Sequence, residues 1–362
     1  MKAKKKNRAR RRVLQILAIV IAIFLIVLLV VAIVKMNGKR SLYEANNSQK
    51  SAAEAMAEVA TDGDSLTKDD SYVWQDGDIQ YNGKLYRYND EILTFLILGI
   101  DNQEKVYRGE VTDYKLGGQS DAMFLIAMNP KNKTIKLIAI NRNTITDIDV
   151  YNSDGTFAGV MPLQITLQHG YGDGREQSCE RSVKAVSHLF KNIPIHGYMS
   201  INMGAIQEMN DIVGGVPVTV MENSKWYSKN LEENVGNTIV LHGIDAYEYL
   251  QNRNVDDFDS ATDRLNRQKQ YLMSFANVAK EKTKEDITFP IELYEAIKDY
   301  LVTDISVSEM GYLASEGIKY SFDESQIFSL TGDTTEVNGF EEFHPDENAL
   351  QGLLVEIFYE PI

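Results

Sequence analysis

Residues 121–142 read DAMFLIAMNPKNKTIKLIAINR and contain two short apolar runs, 122–128 and 134–140. A third run of the same kind lies at 94–100. Short runs that are rich in branched side chains predict strands covered on both faces. Helical periodicity follows at 175–192, 204–212, 244–251 and 261–281. Together these patterns predict an α/β protein with a three-layer α/β/α core and a central mixed sheet.

A short turn at 129–133 joins the last two runs, so their strands are expected to be antiparallel. If the first strand is also antiparallel to the second, Asp101, Asp121 and Arg142 meet at one edge of the sheet. Two carboxylates and an arginine in one place suit a hard divalent cation with a phosphate ligand. The alternative is that Asp101 caps a turn and Asp121 is solvated at a strand start. Composition alone favours that alternative, because Asp is a common turn residue.

A second cluster of arginines lies further along the chain, where Arg253, Arg264 and Arg267 fall within fifteen residues. On the predicted helix, Arg264, Arg267 and Gln268 share one stripe beside the apolar face. Guanidinium groups in the first turns of a helix are typical of phosphate binding. The alternative is a solvated stripe that pairs with the acidic residues at 256–259.

Charge and composition exclude several classes of protein. The chain has 362 residues, and its first 40 carry 11 Lys and Arg and no acid, which leaves a net charge of −26 for residues 41–362. Such an acidic region excludes broad nucleic-acid binding. The single cysteine, Cys179, excludes a disulfide framework and a cysteine zinc site, and the five histidines lack HExxH spacing. Any metal is therefore expected on oxygen ligands.

Residues 13–34 form a run that is apolar except for Gln15, and eight Lys and Arg precede it at 2–12. A helix of that length is about 33 Å long, enough to span a bilayer. The run is longer than the apolar region of a cleaved signal peptide, so we expect an uncleaved anchor and not a buried core helix. The preceding positive charges predict a cytoplasmic N-terminus, with residues 41–362 outside the cell.

The same patterns divide the chain into predicted parts. A segment rich in Ala, Ser, Asp and Glu is typical of a stalk, and Asn82-Gly83 favours a hairpin turn ahead of the core. The parts are a cytoplasmic basic tail (1–12), a transmembrane helix (13–34), an extracellular stalk (35–70), a β-hairpin (71–90), a core domain (91–281) and a C-terminal continuation (282–362).

Six segments resemble the motifs of one family, the LytR-CpsA-Psr (LCP) cell-envelope phosphotransferases. They occur in the family's order, and the predicted membrane anchor matches as well. The segments are LGID at 98–101, GGQSDAM at 117–123, NPKNKTIKLIAINRNT at 129–144, IVGGVPV at 212–218, LHGIDAYEYLQNR at 241–253 and DRLNRQKQYL at 263–272.

The resemblance implies a membrane-anchored extracellular transferase. Such an enzyme takes a glycan phosphate from a polyprenyl-pyrophosphate carrier and attaches it to peptidoglycan, usually at the C6 hydroxyl of N-acetylmuramic acid, and a pyrophosphatase side activity is also expected. Teichoic acid and capsule are the glycopolymers concerned. The resemblance also implies that residues 91–281 are an LCP-like catalytic domain, whose core encloses the prenyl chain in an apolar tunnel.

The resemblance further assigns roles to residues of this chain. Asp101 and Asp121 would hold Mg²⁺ or Mn²⁺. Arg142, Arg253, Arg264 and Arg267, with Gln268, would bind the pyrophosphate, and the groups expected to act in catalysis are Asp121, Arg142, Arg264 and Arg267. The general base stays open between Asp121 and Asp263.

Three positions of the motifs differ from the family pattern. Gln119 and Gln251 replace arginines, and Asn143 replaces an aspartate. All three remain candidates for substrate binding, because an amide can donate to a phosphate oxygen. The differences make a second function conceivable, a weakened LCP-like protein that binds polyprenyl-phosphate lipid or glycan. A membrane-bound transcriptional attenuator is a third reading, which a cytoplasmic part of about twelve residues disfavours because no DNA-binding module is that short.

Overall fold

The structure is a computed structural model, and it describes residues 34–43, 73–75, 77–109, 117–225, 228–254 and 256–362. The predicted cytoplasmic tail, the predicted transmembrane helix apart from Val34, and most of the predicted stalk lie outside these residues. Within the described ranges, no helix is long and apolar enough to cross a membrane.

The described residues form fifteen strands and nine α-helices. The strands are β1 (Asp78–Tyr81), β2 (Lys84–Tyr88), β3 (Leu93–Ile100), β4 (Ser120–Asn129), β5 (Thr134–Ile140), β6 (Ile145–Tyr151), β7 (Phe157–Gln164), β8 (Gly197–Asn202), β9 (Val216–Thr219), β10 (Thr238–Leu241), β11 (Leu301–Thr303), β12 (Ile327–Ser329), β13 (Gly332–Val337), β14 (Phe340–Pro345) and β15 (Tyr359–Pro361). The helices are α1 (Leu167–Gly170), α2 (Glu176–Leu189), α3 (Ala205–Ile212), α4 (Lys229–Glu233), α5 (Gly243–Gln251), α6 (Ser260–Glu285), α7 (Phe289–Ile297), α8 (Val307–Gly317) and α9 (Glu347–Phe358). Residues 34–43 are also helical.

The central sheet has six strands in the order β11-β8-β3-β4-β5-β12. Strand β4 is antiparallel to β5, as predicted from the short turn between them, and it is also antiparallel to β3. Strands β8 and β12 add in parallel beside β3 and β5, so the sheet is mixed, which confirms the predicted α/β class. Residues 282–362, the predicted C-terminal continuation, supply β11 and β12 at the two sheet edges.

Both faces of the sheet are covered, because the side chains of each strand alternate between two apolar layers. On one face, Leu98 and Leu125 pack with residues of α2 and α9. On the other face, Phe124 and Leu137 pack against Leu265 of α6. Helix α8 also packs on this second face, together with residues of the helical segment 34–43. Burial on both faces of the sheet therefore explains why the sequences of these strands are almost continuously apolar.

Smaller sheets surround the core. Strands β1 and β2 form the predicted hairpin, in which Asn82 and Gly83 take φ angles of 49° and 74°, the positive values that this two-residue turn needs. Two further hairpins, β6–β7 and β13–β14, extend from the core, and the second of these returns to the predicted site.

Candidate phosphate-binding site

Asp121 lies at the centre of a buried cluster with two arginines. Its Oδ1 is 2.8 Å from Nη1 of Arg142, and its Oδ2 is 2.9 Å from Nη1 of Arg264. The side chains of Asp121 and Arg264 are each 4% exposed, and that of Arg142 is 14% exposed. The structure therefore brings together a carboxylate from the sheet edge, an arginine from the end of a strand and an arginine from the start of a helix.

The topology explains this meeting. Asp121 is the second residue of β4, and Arg142 lies two residues after the end of the antiparallel neighbour β5, so both reach the same sheet edge. Arg264 lies in the second turn of α6, which packs on the same side through Leu265. The alternative of a solvated arginine stripe is therefore wrong for Arg264, which pairs with the sheet carboxylate and is 3% exposed.

Several polar atoms of this cluster have no hydrogen-bond partner among the described residues. They are Oδ1 of Asp121, Nε of Arg142, Nη2 of Arg264 and Oε1 of Gln268. The 2.8 Å contact of Asp121 Oδ1 with Arg142 is thus a charge contact without a well-directed hydrogen bond. Buried donors without acceptors are costly, about 1–3 kcal/mol each, unless a ligand satisfies them. Two such guanidinium N–H groups suit an anionic oxygen ligand.

Arg142 carries its charge in a poorly solvated place. Burial lowers the pKa of its guanidinium below the ordinary value, and the nearby charges of Arg264 and Arg253 lower it further, while Asp121 and Asp101 raise it. A group in this environment gains more from a bound phosphate than an exposed arginine does, because screening by water is weaker.

Arg267 has a different environment from Arg264. It is fully buried; its Nε donates to the Tyr249 carbonyl at 2.8 Å, its Nη1 donates to Asn223 Oδ1 at 3.0 Å, and its Nη2 donates to the Asn252 carbonyl. These carbonyls lie at the C-terminus of α5, where a helix leaves backbone oxygens without internal partners. Its contact with pyrophosphate stays a prediction.

Gln268 and Arg264 complete this cap of helix α5. Gln268 Nε2 donates to the Leu250 carbonyl at 3.2 Å, and Arg264 Nη1 donates to the Gln251 carbonyl at 3.3 Å. The two sequence motifs at 241–253 and 263–272 are therefore one structural unit, in which side chains of α6 hold the end of α5. Gln251 takes part here through its backbone oxygen.

The remaining predicted site residues lie around this cluster. Gln119 is exposed, and its Oε1 accepts a hydrogen bond from Arg142 Nη2. Arg253 Nη1 donates to Ser260 Oγ at 2.9 Å. Asp101 is exposed, and its backbone N–H donates to the Gln119 carbonyl at 2.9 Å, so it lies beside the strand that leads to Asp121.

The side chain of Asn143 contacts the β13–β14 hairpin. Asn143 is 5% exposed, and its Nδ2 donates to Glu341 Oε2 at 3.0 Å. Glu341 belongs to β14, almost two hundred residues further along the chain, and no periodicity or spacing in the sequence links the two positions. The role of Asn143 in substrate binding stays a prediction, and Glu341 is a residue of this region that sequence reasoning missed.

The donor set fits a magnesium ion that shares its coordination with a phosphate. Mg²⁺ usually takes one or two carboxylates together with substrate phosphates and water, not a full cage of protein ligands. The described residues contain no group of three or more acidic, His or Cys side chains that could hold a metal alone. The carboxylates that would contribute are exposed Asp101 and Asp121, whose Oδ1 pairs with Arg142 at 2.8 Å without a directed hydrogen bond.

Comparison with known proteins places these features in a family context. The model of the LytR_cpsA_psr family matches residues 42–357. A relative from Bacillus licheniformis, named polyisoprenyl-teichoic acid–peptidoglycan teichoic acid transferase TagU, is 24% identical over 277 residues, which cover 74% of this chain and 78% of the relative. A protein of the same name from Halalkalibacterium halodurans is 29% identical over 254 residues, covering 68% of this chain and 71% of that protein.

The fold has close counterparts among solved structures. The structure described as TagT bound to LI-WTA superposes with a TM-score of 0.55 at 22% identity, and the match covers 74% of this chain and 89% of that one. At this identity the likeness concerns the fold.

Proposed function

This chain belongs to the LytR_cpsA_psr family, and we propose that it transfers a glycan phosphate from a polyprenyl-pyrophosphate carrier to peptidoglycan at the Asp121 cluster. The family predicted from the sequence motifs is confirmed by the match over residues 42–357. The observation that carries the assignment of the site is the pair of arginines, Arg142 and Arg264, whose N–H groups include some without a partner among the described residues, beside a buried carboxylate. The names of the relatives point to teichoic acid as the class of glycopolymer.

The reaction needs the diphosphate charge to be neutralised before a sugar hydroxyl can approach phosphorus. The acceptor oxygen forms a bond to the phosphorus that carries the glycan, the bond from that phosphorus to the bridging oxygen breaks, and polyprenyl phosphate leaves with the electron pair. The hydroxyl proton passes to a base. Arg142 and Arg264 stabilise the charge that develops on the phosphate oxygens, which is usually the largest contribution to such a rate enhancement.

Members of this family typically use Mg²⁺. In this chain Asp101 and Asp121 would hold the ion, which supplies further charge neutralisation at the diphosphate oxygens. Asp121 has a second role, because its carboxylate keeps the two guanidinium groups at a fixed separation. Its burial at 6% exposure differs from the solvated sheet edge that the sequence suggests, so a substitution there disturbs both arginines.

An apolar groove supports a lipid-linked substrate. It has a volume of about 250 Å³ and lies between α6, α7 and α8, and its lining includes Ala276, Phe289, Leu293, Ala314, Ile318 and Phe322. Because α6 rises about 1.5 Å per residue, its groove-lining part begins about 18 Å from Arg264. The helix thus connects a phosphate-binding end with an apolar end.

A membrane anchor at residues 13–34 would keep this enzyme next to its lipid carrier, with residues 41–362 outside the cell. A protease added to intact cells tests this topology, since it should remove the acidic region and leave the anchor. Full protection of that region, in cells whose other surface proteins are cleaved, would contradict the orientation.

Turnover by the full-length protein in detergent tests the proposed reaction. With a polyprenyl-diphosphate glycan and peptidoglycan fragments, we expect polyprenyl monophosphate and a glycan-linked acceptor, both followed by mass spectrometry. Arg264→Ala should abolish most of the product, whereas Arg108→Ala, a change of an exposed arginine outside the cluster, should not. Binding of the lipid without product, for several acceptors, would favour the alternative of a non-catalytic binding protein.

The metal is best tested at Asp101, because this residue is exposed and its side chain is not part of the arginine pairs. Asp101→Asn should raise the Mg²⁺ concentration needed for half-maximal activity several-fold, and Asp333→Asn, at an exposed position on β13, should leave it unchanged. An unchanged Mg²⁺ dependence in Asp101→Asn would remove Asp101 from the metal site.

A further inference from the structure

The β13–β14 hairpin places a carboxylate, that of Glu341, against residues next to the site. Its Oε2 accepts the hydrogen bond from Asn143 Nδ2 at 3.0 Å, and its Oε1 accepts the backbone N–H of Asp259 at 2.6 Å. Two further hydrogen bonds hold the same strand, since the Glu341 carbonyl accepts Gln164 Nε2 at 2.6 Å and the Phe343 N–H donates to the Asn143 carbonyl at 2.9 Å. Both oxygens of Glu341 are thus engaged.

The two partners of Glu341 belong to the two arms that carry the phosphate-binding arginines. Asn143 directly follows Arg142 in the chain. Asp259 is the N-cap residue of α6, the helix that carries Arg264, and its φ of 61° is in the left-handed region, which non-glycine residues seldom adopt. Glu341 therefore links the end of β5 to the start of α6 from outside the cluster.

The hairpin itself gives no reason for a carboxylate at this position. Glu341 is opposite Glu336 in the β13–β14 register, and like charges directly across an antiparallel pair are unfavourable. Glu336 is exposed, whereas Glu341 is partly buried against the core. The hydrogen bonds to Asn143 and Asp259 offset this repulsion. A carboxylate at position 341 is therefore explained by its contacts with these two residues and not by the hairpin.

The side chain at position 143 supplies the hydrogen-bond donor that Glu341 needs. A carboxylate accepts hydrogen bonds and donates none, so Glu341 needs a donor on the side chain that faces it. Asn143 supplies that donor, whereas an aspartate there would place two carboxylates about 3 Å apart, which is strongly repulsive.

We propose that Glu341 is a positioning residue, which sets the separation of Arg142 and Arg264 for a diphosphate, and that Asn143 is its matched partner. This inference rests on the proposed function. It deepens that function by assigning to the C-terminal hairpin a part in the site that the family motifs do not include.

An exchange of the two side chains tests the inference on the full-length protein. Glu341→Ala and Asn143→Asp should each lower kcat/KM for the polyprenyl-diphosphate glycan, by up to about 100-fold, because small displacements of binding groups have effects of this size. The double variant Asn143→Asp with Glu341→Gln restores one donor and one acceptor with their places exchanged, and the amide oxygen introduced by Glu341→Gln can still accept the Asp259 N–H. We expect the double variant to recover activity to within about three-fold of the wild type.

The matched control is Glu336→Gln, the change of the opposite carboxylate on the same hairpin, which should leave kcat/KM unchanged. Thermal unfolding and the binding of inorganic pyrophosphate are measured on the same proteins. The inference predicts that Glu341→Ala weakens pyrophosphate binding at a temperature where the protein is fully folded.

Two results among the variants would overturn the inference while leaving the proposed function intact. One is a lower melting temperature in Glu341→Ala with unchanged kcat/KM and unchanged pyrophosphate binding, which would make Glu341 purely structural. The other is a double variant whose losses are those of the single variants multiplied together.

A wild type that binds pyrophosphate but makes no product would overturn the proposed function alone, since the pattern of binding among the variants still decides the role of Glu341. A wild type that does neither would overturn both.

Discussion

Arg264 and Arg267 lie one turn apart on the same helix and are both buried, yet their surroundings differ. Arg264 forms an ion pair with Asp121, donates to one carbonyl at 3.3 Å and keeps Nη2 without a partner among the described residues. Arg267 donates to Asn223 and to two carbonyls at the end of α5, and it lies beside the Tyr249 ring. Arg264 thus keeps donor capacity at the proposed site, whereas Arg267 holds the end of a helix.

The difference shows how to separate binding from structural roles for the same residue type. A buried guanidinium group whose donors are satisfied by backbone oxygens stabilises a particular loop, and its positive charge also suits the C-terminal end of a helix. A buried guanidinium group that keeps donor capacity next to a carboxylate is prepared for an anion. The resemblance to the family treats both residues alike, and the hydrogen bonds distinguish them.

The largest effect on stability is expected from Arg267→Ala. The change leaves the carbonyls of Tyr249 and Asn252 and the Asn223 amide oxygen without their donor, at about 1–3 kcal/mol for each group, so the free energy of unfolding should fall by at least about 3 kcal/mol. Arg264→Ala should cost less than half of that, because Asp121 keeps Arg142. Chemical denaturation of both variants measures the two values, and equal losses would contradict the distinction.

The second prediction concerns activity, for which Arg264, and not Arg267, is expected to be the important residue. Arg264→Ala should reduce kcat by about 100- to 1,000-fold, which is about 3–4 kcal/mol of transition-state stabilisation, as for other preorganised donors. Arg264→Lys keeps the charge but not the fork of N–H groups, so it should retain part of the rate. A normal kcat in folded Arg264→Ala would remove this residue from the reaction.

The sheet and its charged edge were predictable because they depend on local patterns. Apolar runs give strands, a five-residue connection gives an antiparallel pair, and the ends of such strands share one edge. The meeting of Asp121 and Arg142 follows from these rules alone. Arg264 needed the docking of α6 onto the sheet, which the family resemblance implied and which the apolar residue Leu265 explains after the fact.

The parts that could not be predicted depend on contacts between distant segments. Nothing in the spacing of residues 249–252 and 264–268 states that side chains of the second segment cap the first. The link between Asn143 and Glu341 spans most of the folded region, and a single sequence gives no signal for such a pair. For the same reason the sequence alone makes Asn143 a candidate substrate ligand, whereas its side chain contacts the hairpin.

The third prediction concerns a buried group that is neutral, in contrast to the two charged arginines. His169 is 1% exposed, and its Nδ1 contacts the Gly118 carbonyl at 3.1 Å, in the loop that leads to Asp121. Burial lowers the pKa of His169 to about 4. Because the unfolded chain has a histidine pKa of about 6.5, the unfolded state takes up the proton first as the pH falls.

The free energy of unfolding is therefore expected to fall as the pH falls. The contribution of neutral His169 to stability is complete above pH 6.5 and is lost as the pH falls from about 6.5 to about 4, by ~3 kcal/mol. His196, whose pKa burial also lowers to about 4, adds a similar loss. His169→Gln should therefore remove about half of the contribution that His169 and His196 together make to the pH dependence of the unfolding free energy in this window. An identical pH profile in this variant would show that His169 does not titrate on unfolding.

The smallest effect is expected at Gln119, which accepts a hydrogen bond from Arg142 and is exposed. Gln119→Arg restores the residue type of the family pattern and adds a positive charge near the proposed diphosphate site, but it also removes the acceptor that holds Arg142. An exposed charge contributes about 0–1 kcal/mol, so pyrophosphate affinity should rise only a few-fold. Gln119→Ala removes the acceptor without adding charge and measures that loss separately. The gain of Gln119→Arg over Gln119→Ala should shrink as salt is raised from about 0.01 to about 0.15 M, because the screening length falls from about 30 Å to about 8 Å. A gain that is insensitive to salt would indicate that the introduced arginine is buried in the cluster. Its environment would then be like that of Arg264 and not like that of a surface residue.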